Sequence, residues 1–113
     1  MTENRDRRLL DAYQALRKVL MTVFILPIEL PELRGGYLRP GESQRKVVHA
    51  RSILRDMPAN SHRRDLVDQL ILDWLNAMVM TRMSKVEPWC GDAADEALTR
   101  FQATLEVLRY EDE

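Results

Sequence analysis

A single cysteine, Cys90, rules out an intrachain disulfide and gives no sign of an oxidising compartment, so a cytoplasmic location is expected. Histidine is almost as scarce. His49 and His62 are the only two, and the chain has no His-x-x-x-His or Cys-x-x-Cys spacing that would gather ligands, which argues against a metal site. Long apolar runs are missing as well. The longest uncharged run, Val19 to Ile28, covers ten residues, against the roughly 18–20 that a membrane helix needs. The bases from Arg5 to Arg8 precede that run, but Asp11, Gln14, Arg17 and Lys18 interrupt the approach and no small-residue cleavage site follows, so no secretory signal is expected. Glycine is rare, and the pair Gly35-Gly36 lacks the Lys-Ser/Thr that would make it a phosphate loop. No cofactor is therefore expected.

With 45% apolar residues, 4 glycines and 5 prolines, the composition is that of a folded helical chain. At 113 residues it fits one domain, large enough to bury about 60–70% of its unfolded surface. The expected architecture is all-α, a small four-helix bundle with helices over about 4–26, 42–57, 61–85 and 92–110 and a loop over 27–41. The first helix rests on Leu9, Tyr13, Leu16, Leu20 and Val23 at spacings of four and three, and its end falls between Met21 and Leu26. Ser43 is the expected cap of the second helix and Pro58 its stop, with Val47, Ala50, Ile53, Leu54 and Met57 buried. Asp92 and Asp95 resemble a capping box for the last helix, whose seam is Ala94, Ala97, Leu98, Phe101, Leu105 and Leu108.

The stretch from Ser61 to Lys85 organises the rest, because apolar residues recur through it at helical spacing without Gly or Pro. Leu66, Val67, Leu70, Ile71, Trp74, Leu75, Ala77 and Met78 occupy one half of the cylinder and face the core. Asp65, Gln69, Asp73 and Asn76 make the other half polar, yet Leu72, Val79 and Met83 form a second apolar stripe inside it. A lone domain rarely needs two stripes on one helix. Self-association through Leu72, Val79 and Met83, most simply as a homodimer, is the expected reason. Met78, Met80 and Met83 suit a surface that adapts to a partner, although ordinary core filling explains methionines as well.

The segment 27–41 is punctuated by three prolines and three glycines and reads as a loop. It nevertheless carries Ile28, Leu30, Leu33, Tyr37 and Leu38, more large apolar side chains than a solvated linker needs. Either the loop packs over an end of the bundle or these five residues belong to a partner-binding surface.

Net charge is −1, but it is separated along the chain: residues 34–64 carry eight bases and two acids, and residues 65–113 carry four bases and eleven acids. Solvated faces, pairing between protomers or with a protein partner, and nucleic-acid binding all fit such a separation. For the last, Arg45, Lys46, Arg51 and Arg55 are the candidate phosphate contacts, in a helix-turn-helix-like outline formed with the following helix. That following helix is Leu/Met-rich over most of its circumference, whereas a recognition helix shows polar side chains to base edges, so DNA binding ranks second.

Catalysis finds no constellation. Cys90 precedes a helix start but has no local histidine to act as its base, and a half-buried thiol beside Trp89 is the simpler reading. Asp65, Asp68 and Asp73 are read as the wet face of the central helix and not as an acid–base pair. A non-enzymatic protein is expected. In length, in its single-domain helical pattern and in the apolar segment LILDWLNAMVM from Leu70 to Met80, the chain resembles the small helical QslA-like anti-activators that sequester LuxR-type quorum-sensing receptors such as LasR. The resemblance implies a regulator that binds a transcription factor and blocks its dimerisation or DNA binding. It carries no residue role to this sequence.

Overall fold

Four stretches of apolar spacing at three and four become four helices in the computed structural model, which describes residues 2–23, 30, 40–57 and 61–112. They are α1 (Thr2–Lys18), continued by a π-helical turn (Val19–Val23), α2 (Pro40–Asp56), α3 (Ser61–Met83) and α4 (Trp89–Asp112). The chain is a small all-α bundle. No strand occurs among the described residues, and no helix there is long and apolar enough to cross a membrane.

The central helix is central in space as well as in sequence, since α3 packs against α1, α2 and α4. Its core face holds Val67, Leu70, Ile71, Trp74, Ala77 and Met78, all buried, with Leu66 and Leu75 half-buried at the edges. Trp74 anchors α1: its indole Nε1–H donates to the Leu9 carbonyl at 3.3 Å, and its ring lies 5.3 Å from that of Tyr13, tilted by 40°. A buried indole N–H needs such an acceptor. Tyr13 is fully enclosed, and burial pushes its phenol up to about 12.

Helix ends depart from expectation in ways local chemistry explains. The α-helical ladder of the first helix gives way at Val19 to a π-helical turn, where the Thr22 hydroxyl donates to the Lys18 carbonyl and competes with the regular backbone bond. Residues 24–26 lie outside the described residues. The second helix opens at Pro40 and not at Glu42, because a first-turn proline gives up no helical hydrogen bond. Ser43 is accordingly fully buried inside α2 and does not cap it. The third helix stops at Met83, short of Lys85, where the Val86 and Glu87 amides both donate to the Met83 carbonyl. The fourth starts at Trp89, its entry tightened by the Cys90 amide donating to the Glu87 carbonyl and the Gly91 amide to the Pro88 carbonyl. Asp92 therefore lies in the first turn, and Asp95 serves another purpose.

That purpose is to hold α1. Arg5 donates from Nε to Asp95 Oδ1 at 2.9 Å and from its guanidinium to Oδ2 at 3.2 Å, with Arg8 3.7 Å from the same carboxylate. The paired guanidinium keeps the Asp95 carboxyl below its ordinary range. Gly91 makes room for it, since a Cβ there would lie 2.8 Å from the Arg5 guanidinium.

Candidate interaction face

Four polar contacts fix how α3 is oriented among its neighbours. Asp68 accepts two bonds from Arg51 of α2, at 2.6 and 3.3 Å, and Arg82 donates to Gln44 of α2 at 3.0 Å. Asp73 faces α4, where Arg100 Nε lies 3.5 Å from its Oδ1. Trp74 faces α1. At 100° per residue, Leu72, Asn76, Val79 and Met83 then project between α2 and α4, on the side opposite Trp74.

No described helix covers that side. Leu72 is 39% exposed and Val79 and Met83 43% each, so the second stripe is a solvent-facing row. It is broadened by side chains the sequence reading did not single out. On α2 the row Gln44, Val48, Arg51 borders it, and Val48 is 53% exposed. On α4 the row Arg100, Thr104, Val107 borders the other side, with Val107 also exposed. The spacing marks Val48: at roughly 100° per residue it lies about 100° from Val47, about 120° from Leu54 and about 160° from Ala50, all three buried, so both valines of the pair cannot enter the core. Beyond the stripe, Val86 and Trp89 are exposed at the α3–α4 turn, while neighbouring Cys90 is completely buried and not half-buried.

Two arginine contacts frame this face. Arg51–Asp68 closes it at one end, hydrogen bonding to Asp68 raising the Arg51 pKa further, and Arg82–Gln44 lies toward the other. Asp73 is the residue the sequence misplaced. It was expected on the wet face, but its 4% exposure puts it inside the α3–α4 seam, where Oδ1 accepts from Gln69 Nε2 at 3.0 Å and approaches Arg100. Its Oδ2 has no donor among the described residues.

The loop residues divide. Leu30 is 2% exposed and belongs to the core, its carbonyl accepting a bond from Arg17 Nε at 3.1 Å, so it is withdrawn from the expected partner-binding set. Burial of an apolar side chain among the helices outweighs leaving it for a partner. Ile28, Leu33, Tyr37 and Leu38 lie outside the described residues. Of the candidate phosphate contacts, Arg45, Lys46 and Arg55 are exposed on α2, whereas Arg51 is half-buried and committed to Asp68.

Among the described residues no three His, Cys, Asp or Glu side chains converge as a metal ion would require. What the face offers is apolar side chains: Leu72, Val79 and Met83 on α3, with exposed Val48 on α2 and Val107 on α4. Such a surface suits another helical surface laid along it. The chain matches no family model, and comparison with curated proteins and with solved structures gives no match.

Proposed function

We propose that this chain is a non-enzymatic regulatory protein of the cytoplasm that binds and sequesters a protein partner. The observation that carries the reading is the exposed row Leu72, Val79, Met83 with Val48 beside it, an apolar face on a helix whose other sides are already packed. Exposed apolar side chains grouped on one face mark interaction sites more often than singly scattered ones do. Self-association as a homodimer occupies this row and leaves the exposed turn at Val86 and Trp89 to the partner; the partner-binding candidates Ile28, Leu33, Tyr37 and Leu38 lie outside the described residues. The resemblance of the Leu70 to Met80 segment to QslA-like anti-activators makes a LuxR-type quorum-sensing transcription factor the partner class, with its dimerisation or DNA binding blocked.

Titration of the purified protein against the DNA-binding activity of such a receptor tests this. Inhibition should saturate at a fixed, small molar ratio and should not grow with time. Inhibition at strongly substoichiometric amounts that deepens on incubation would mean turnover and would sink the non-enzymatic reading.

A helix-turn-helix-like DNA-binding regulator is the second reading, favoured by the exposed Arg45, Lys46 and Arg55 on α2. It ranks lower because α3, which would enter the major groove, has Val67, Leu70, Ile71 and Trp74 buried against other helices.

A further inference from the structure

We draw no further inference here: the strongest candidate, the exposed apolar row of α3 with Val48 of α2 and Val107 of α4 beside it, carries nothing beyond the proposed function because nothing in the structure shows what covers it.

Discussion

Arg5 reaches from α1 over Gly91 to grip Asp95, and its side chain is only 11% exposed where it does so. Because Asp95 is held below the ordinary carboxylate range, its contribution to stability is present above the unfolded-state value of about 3.9 and is lost as pH falls through the lower folded-state value. Asp95→Asn should therefore cost about 0.5–1 kcal/mol near neutrality. In thermal melts the gap from wild type should stay constant above about pH 5 and close below about pH 4. A gap that shows no narrowing at all as the pH falls below about 4 would show that the ion pair is not its source. Arg5 and Asp95 stand 90 positions apart, so nothing local in sequence announces their contact. The nearby Asp92 with Asp95 looked like a cap because spacing alone cannot tell a first-turn acid from one that reaches another helix. The sequence leaves Leu30 open between packing on the bundle and partner binding for a related reason: a leucine in a proline-rich loop carries no periodicity to say which way it turns.

At the scale of the element, α3 shows where periodicity suffices and where it fails. Its buried face was legible because eight apolar residues share one half of the cylinder, and its exposed row was legible because Leu72, Val79 and Met83 fall among polar residues. Asp73 was not, since a carboxylate at the edge of the core stripe reads as solvated until Arg100, 27 residues later, is known to face it. A buried carboxylate with one oxygen lacking a donor is a poor source of stability, and Arg100 is itself 52% exposed, so removing Asp73 strands no buried charge. Asp73→Leu should raise stability by about 1 kcal/mol or leave it unchanged in urea unfolding. A loss above about 1 kcal/mol would mean that the Gln69–Asp73–Arg100 contact supports the α3–α4 seam after all.

Across the whole molecule, ion pairs tie the helices together, and one of them, Arg51–Asp68, joins the basic segment 34–64 to the acidic segment 65–113. Arg5 and Arg8 meet Asp95, Arg51 meets Asp68, and Arg100 meets Asp73, which joins α1 to α4, α2 to α3 and α3 to α4. Arg45, Lys46 and Arg55 remain as exposed bases of α2. Three phosphate contacts would give a log–log salt slope of roughly −2.7 on duplex DNA. The protein-partner reading predicts no specific duplex binding at about 0.15 M salt, where nonspecific contacts are weak. A footprint that disappears when Arg45, Lys46 and Arg55 are replaced would put the DNA-binding reading first.

Trp74, sealed beside Tyr13, and Trp89, 61% exposed at the α3–α4 turn, are the two tryptophans of the chain, and they sit in opposite surroundings. The molecule thus carries two built-in lamps of different colour. Emission from Trp74 should be blue and shielded from iodide, shifting only when the core opens. Trp89 should glow red and quench readily, and a partner seated on the turn should protect it while Trp74 stays unchanged. Trp89→Phe would leave a chain whose light reports folding alone, and Trp74→Phe one that reports the surface.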